Sequence, residues 1–157
     1  MTDRRLKDEG GTISGVAMVA GVPNANGLIY PPEVAKKLAE EMTKSRFLFA
    51  DMKDGRFVTV PRAQLRLAAG EVSEATFDPE TGRVTVQARI LDTPSGQLVK
   101  QAMKGQRALE EIGLKPSQPL AMSVSAMGTL DGDMVVEAEA PVLSIVEAGD
   151  IEPSGER

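Results

Sequence analysis

The run Leu120-Ala121-Met122-Ser123-Val124-Ser125-Ala126-Met127-Gly128-Thr129-Leu130 constrains the chain most. Its residues alternate in type, and alternation over that length specifies a strand with two unlike faces. Leu120, Met122, Val124, Ala126 and Leu130 fall on one face, and Ser123, Ser125 and Thr129 on the other. The apolar face needs a core to bury it. The hydroxyl face presents serines to something else, and the functional question is whether one of them is a nucleophile.

At 157 residues the chain suits one domain with a single core. Its 41% hydrophobic and 26% charged residues are those of an ordinary soluble domain. No apolar run approaches the roughly 20 residues of a membrane helix, and Met1–Gly10 has no apolar signal segment, so neither membrane nor export is expected. Cysteine is absent, which excludes disulfides and thiol chemistry and fits a cytoplasmic or virion protein. Histidine is absent too, which removes the usual general base near neutral pH and the commonest transition-metal ligand. The net charge of −5 is uneven: residues 131–157 hold eight acidic side chains and one Arg, while the rest is near balance. An acidic C-terminal segment repels nucleic-acid phosphates and can dock on a basic protein surface.

In order along the chain, composition predicts a flexible arm over 1–11, a single domain over 12–148 and a polar tail over 149–157. Thr12–Gly21 is small and apolar, as a buried strand would be. Asn24, Asn26, Gly27 and Pro31-Pro32 make a turn-rich connection. A first helix follows from Pro32 to Lys44, with Val34, Leu38 and Met42 on one face. Phe47–Phe49 reads as a short strand, Phe57–Val60 as an extended piece, and Ala63–Ala69 fits helix or strand. Glu71–Phe77 and Arg83–Leu91 form the clearest hairpin, turning at Asp78–Gly82. A second helix starts with Thr93 as cap and Pro94 as first residue, with an interruption expected at Gly105. Asp131-Gly132 signals a tight hairpin after the serine strand. Pro141 is expected to break the return, with a last strand over Val142–Val146. The sum is an α+β domain, a mostly antiparallel sheet or small β-barrel flanked by two main helices.

Little in this chain carries chemistry by pattern. A serine needs a positioned base, and without histidine only lysine remains, desolvated against the serine. Lys53, Lys100, Lys104 and Lys115 are available. Without Cys or His, only carboxylates remain to bind metal. Asp131-Gly132-Asp133 lacks the spacing of a calcium loop, and Asp51 and Asp54 beside Lys53 read as a solvated loop. No glycine pattern with a following GK[ST] cradles phosphate. No metal and no cofactor is expected.

Three blocks carry a family resemblance. Asn24-Ala25-Asn26-Gly27-Leu28-Ile29-Tyr30-Pro31-Pro32-Glu33-Val34 resembles the N-x-N-G-R-x-Y-P-x-E-V opening of the tailed-phage prohead proteases. These are capsid-maturation serine proteases distantly related in fold to herpesvirus assemblin. Ile90-Leu91-Asp92-Thr93-Pro94-Ser95-Gly96-Gln97-Leu98-Val99-Lys100 resembles their I-L-x-T-P-x-G-x-x-V-K segment, and Leu120–Leu130 resembles their nucleophile strand, L-G-V-S-S-R-G-L-G-S-L. The blocks come in the family's order and span residues 24–130. The resemblance implies a small β-barrel flanked by helices.

The departures fall on the chemistry. The family's catalytic histidine lies after the first helix, in a G-E-x-x-H-P-like stretch, where this chain has Phe49-Ala50-Asp51-Met52-Lys53-Asp54-Gly55. Ser123 keeps the first serine of the nucleophile strand, but Val124, Ser125 and Ala126 replace the serine, arginine and glycine that follow. The family's acidic residue has its nearest match in Glu147. The resemblance therefore implies a vestigial nucleophile position at Ser123 and no catalytic site. The expected protein is a phage capsid cement, decoration or head-assembly protein, assembled in the host cytoplasm and resident in the virion. It would bind the major capsid protein as a homodimer or homotrimer, without nucleic acid or membrane. The alternative is an active maturation protease with Ser123 as nucleophile and Lys53 as base. An internal scaffold that departs during maturation is a third reading.

Overall fold

The protein is described by a computed structural model covering residues 4–114 and 119–148. The predicted tail, 149–157, lies outside the described residues. The architecture is α+β: two helices and a curled, mostly antiparallel seven-stranded sheet that forms a half-barrel.

The strands in chain order are β1 (Lys7–Asp8), β2 (Thr12–Val19), β3 (Phe47–Phe49), β4 (Asp51–Lys53), β5 (Arg56–Val58), β6 (Ala68–Phe77), β7 (Arg83–Ile90), β8 (Leu120–Asp131) and β9 (Met134–Glu147). The helices are α1 (Pro32–Ser45) and α2 (Pro94–Glu111). The main sheet runs β1-β2-β7-β6-β3-β9-β8, and β4 and β5 form a separate two-stranded hairpin. Only the β3–β9 pair in the main sheet is parallel, among the described residues. In β7 the side chains alternate strictly between exposed and buried, as a half-solvated antiparallel strand requires. α1 buries Val34, Ala35, Leu38, Ala39 and Met42 against the sheet.

The serine strand takes its place by its apolar face. Leu120, Met122, Val124 and Ala126 join the main core, together with Leu143 and Ile145 of β9. The return strand is continuous through Pro141. A bulge sets Ser125 opposite Val142 and Met127 opposite Glu139, with Ala140 in the left-handed region at φ 54°. A proline has no N–H to give a ladder, and the bulge accommodates it. α2 is likewise unbroken at Gly105, because the good helix formers around that residue outweigh its cost of about 1 kcal/mol. The ambiguous stretch before residue 69 is a 3-10 turn at Leu65–Leu67 that leads into β6.

Residues 4–8, within the stretch whose composition suggests an arm, are bonded to the sheet. Lys7 and Asp8 pair with Ser14 and Ile13 of β2. Arg5 bridges to Ala121, and the Leu6 N–H donates to the Leu120 carbonyl at 2.8 Å. Leu6 is 5% exposed. A Cβ on Gly15 would stand 2.7 Å from the Leu6 side chain, so the glycine makes room for it. Arg4 donates to the Val16 carbonyl at 3.1 Å, to the Ala17 carbonyl, and to the Met122 carbonyl at 3.0 Å. The segment thus spans the open side of the half-barrel from β2 to β8. Polar composition did not reveal this, because the partners that tie these residues to β8 lie more than a hundred positions away.

The T-P-x-G block also has a packing explanation. Thr93 accepts from the Gly96 N–H at 3.0 Å, capping α2, and donates to the Ala68 carbonyl. A Cβ at Gly96 would overlap the Leu91 carbonyl oxygen and stand 3.1 Å from that of Ala69. Backbone atoms cannot give way as a side chain can. Gly96→Ala is expected to lower stability by about 3 kcal/mol, from overpacking against backbone. Arg4→Met is expected to cost a similar amount, about 3 kcal/mol, by leaving carbonyls without a charged donor. Urea unfolding midpoints check both, and a parental midpoint in either variant would contradict the packing described.

Candidate functional site

Ser123 lies on β8 directly opposite Ser144 of β9. The two belong to the sheet face that also carries Ala121, Ser125 and Val146, opposite the main core. Ser123 and Ser125 are half-buried, whereas Ser144 is fully buried. The Ser144 hydroxyl accepts from the Val60 N–H at 2.9 Å and lies 3.3 Å from the Val60 carbonyl, to which it donates. It therefore clamps the segment following β5 onto the sheet. Val142, beside it, packs with a small cluster of Phe49, Val60, Leu67 and Ala68. The segment between β3 and β6 thus roofs part of the serine face.

On the open edge of β8, beside Ser123, the Leu120 carbonyl is taken by Leu6 and the Met122 carbonyl by Arg4. Burial lowers the Arg4 guanidinium from its ordinary value to about 10, which leaves it charged at neutral pH. A guanidinium donates and does not act as a base.

The other residues singled out from the sequence lie on the β4–β5 hairpin, on α2, on β9 and at the β8–β9 turn, and Lys115 lies outside the described residues. Lys53 is exposed at the end of β4, across the hairpin from Arg56. The turn between them, Asp54-Gly55, has positive φ at both residues, as a two-residue hairpin turn favours. Glu147 is 5% exposed and stands opposite Leu120. By strand alternation it shares the face of Met122 and Ile145, on the other side of the sheet from Ser123. Among the described residues, no three carboxylates come together as a metal group. Asp131 and Asp133 flank the β8–β9 turn, where Gly132 has φ 63°.

The first block, Asn24–Val34, is a self-bonded loop. The Asn24 side chain accepts from the N–H groups of Asn26 at 2.9 Å and Leu28 at 3.0 Å. Ile29 then bonds the β8–β9 hairpin through Asp133 and Val135. Beyond this contact the hairpin exposes Met127, Leu130, Met134 and Val136, with Met127 at 70%. Asp131, Asp133, Glu137 and Glu139 lie among them, and no Lys or Arg occurs from 119 to 148. With Ile29, Pro31 and Pro32, Met134 and Val136 line a shallow apolar groove.

Sequence reasoning missed Ser144 and Arg4. The signal for Ser144 was its position as the one hydroxyl in the apolar run Val142–Val146. Arg4 gave no local signal.

Ser144→Ala is expected to cost about 2 kcal/mol, because it leaves the buried Val60 N–H unsatisfied. Ser123→Ala should stay within about 0.5 kcal/mol of the parent. Denaturant titration of the two variants side by side tests this assignment of a structural and a non-structural serine.

No protein-family model matches the chain, and no curated protein matches it. Among solved structures, the chain is similar to the bacteriophage T4 capsid assembly protease gp21. The identity is 18% and the TM-score 0.48, covering 93% of this chain and 87% of that one.

Proposed function

We propose that this chain is a non-catalytic phage capsid protein, of the cement, decoration or head-assembly type, that uses a prohead-protease-like fold to bind the major capsid protein. The observation that carries this reading is a serine strand in a chain that has no histidine to activate it. The chain has no histidine, Lys53 is exposed on a separate hairpin, and Glu147 lies on the opposite sheet face. An activated serine needs its base within hydrogen-bond reach. The edge of β8 that an extended substrate would join is already bonded at Leu120 and Met122 by residues 4–6.

Binding is assigned to the β8–β9 hairpin. Apolar side chains among carboxylates, with no cation of their own, fit a basic and apolar patch on a partner. Attraction between opposite charges selects such a patch, and burial of Met127 and Val136 supplies affinity.

Copies of the protein in purified virions, counted by quantitative mass spectrometry, are expected in simple ratio to the major capsid protein. Binding of the purified protein to empty shells is expected to weaken with Met127→Lys or Val136→Lys, and to weaken with rising salt. Absence from virions together with no binding to shells would overturn the reading. So would cleavage of capsid chains that Ser123→Ala abolishes, which would instead support an active Ser123–Lys53 protease.

A further inference from the structure

The 3-10 turn at Leu65–Leu67 treats its two leucines in opposite ways. Leu67 is buried with Phe49, Val60 and Ala68. Its N–H donates to the Gln64 carbonyl at 2.8 Å, and its carbonyl accepts from the Ala50 N–H at 3.0 Å. Leu65 is 81% exposed, the barest large apolar side chain among the described residues. The turn is thus pinned from inside, and Leu65 stands on it as a fixed knob. Little backbone freedom remains to be lost when something covers it. Arg62 and Arg66, both exposed, flank it in the chain. Over residues 51–67 four cations, Lys53, Arg56, Arg62 and Arg66, stand against two carboxylates, Asp51 and Asp54. In a chain of net charge −5 this segment is positive.

The complement of the knob is on the same molecule. The groove beside the β8–β9 hairpin has Ile29, Pro31, Met134 and Val136 in its walls, and Glu33 also lines it. Lys37, one turn further along α1, offsets Glu33. The charge that selects a partner is therefore that of Asp131, Asp133, Glu137 and Glu139, all exposed, with no cation among residues 119–148. A leucine between two arginines and an apolar groove among carboxylates match in both properties. Burial of the apolar groups supplies affinity, and the opposite charges fix which surfaces meet. With Leu65 at 81% and Val136 at 45% exposure, the match is not made within one chain.

We infer that the hairpin groove of one copy takes the Leu65 knob of a second copy, so that the protein self-associates through unlike surfaces. This rests on the reading of the hairpin as a docking surface and adds its regulation. Off the shell the groove is capped by another copy, and the capsid protein displaces that copy. Contacts between unlike surfaces close into a reciprocal pair or run on as a chain, and either needs one intact knob and one intact groove.

The test is sedimentation of the purified chain over a concentration series. The parent is expected to associate, several-fold more weakly in high salt than in low. Leu65→Glu and Val136→Lys alter exposed positions, so each should keep the parental melting transition. Each alone should be monomeric at concentrations where the parent is associated. An equimolar mixture of the two variants is the decisive sample. One retains the groove and the other the knob, so the mixture should form a mixed pair although neither variant associates alone. A contact of Leu65 with Leu65, or of hairpin with hairpin, would not give this result. At concentrations where the parent is associated, Leu65→Glu should bind empty shells several-fold more tightly than the parent, because its groove is uncapped. A monomeric parent, association unaffected by either variant, or a mixture that stays monomeric would overturn the inference. Loss of shell binding in Leu65→Glu would do so too, by assigning the knob to the shell. A monomeric parent that binds shells overturns this inference and leaves the capsid reading intact. An associated parent that never binds them overturns the capsid reading alone.

Discussion

The open side of the half-barrel is the constraint on which the rest of the structure depends. A curled sheet that does not close leaves rows of unpaired amides along its outer strands. Here residues 4–8 bond to both sides of the opening. Lys7 and Asp8 pair with β2, while Arg5 and Leu6 pair with β8. Arg4 then reaches carbonyls on both, Val16 and Ala17 on one side and Met122 on the other. Only arginine presents enough donors in a fixed fork to do this from one side chain. Burying its charge is costly, as its lowered pKa shows, and the three carbonyls offset that cost. Without this bridge β8 would be an exposed edge strand, and the position of Ser123 would be poorly fixed.

β8 and β9 change character along their length. At one end Leu120, Ala121 and Met122 are buried, and from Met127 onwards the strand is exposed. Bulges between Ser125 and Met127 and between Thr129 and Leu130 mark the passage from core to projecting hairpin. Added residues increase twist and re-aim the side chains that follow. One strand pair therefore holds the half-barrel together and carries an apolar, acidic arm into solvent. The serine face lies at the junction, roofed by the segment that Ser144 clamps through Val60.

What could be read from the sequence was what local chemistry decides. Pro32 opening α1, Thr93 capping α2 and the alternation of β7 and β8 all rest on neighbours within a few residues. The two faces of the serine strand were legible for the same reason. The bridging by Arg4, the parallel pairing of β3 with β9 and the Ser144–Val60 bond were not, because each joins residues far apart in the chain. Pro141 and Gly105 misled in the same way: a strand breaker and a helix breaker were read from intrinsic preference, and tertiary structure overrode both. For the candidate site, the missing histidine was plain in the sequence. The place of Lys53 on its hairpin and of Glu147 on the other sheet face from Ser123 depends on pairing and register, which only the fold supplies.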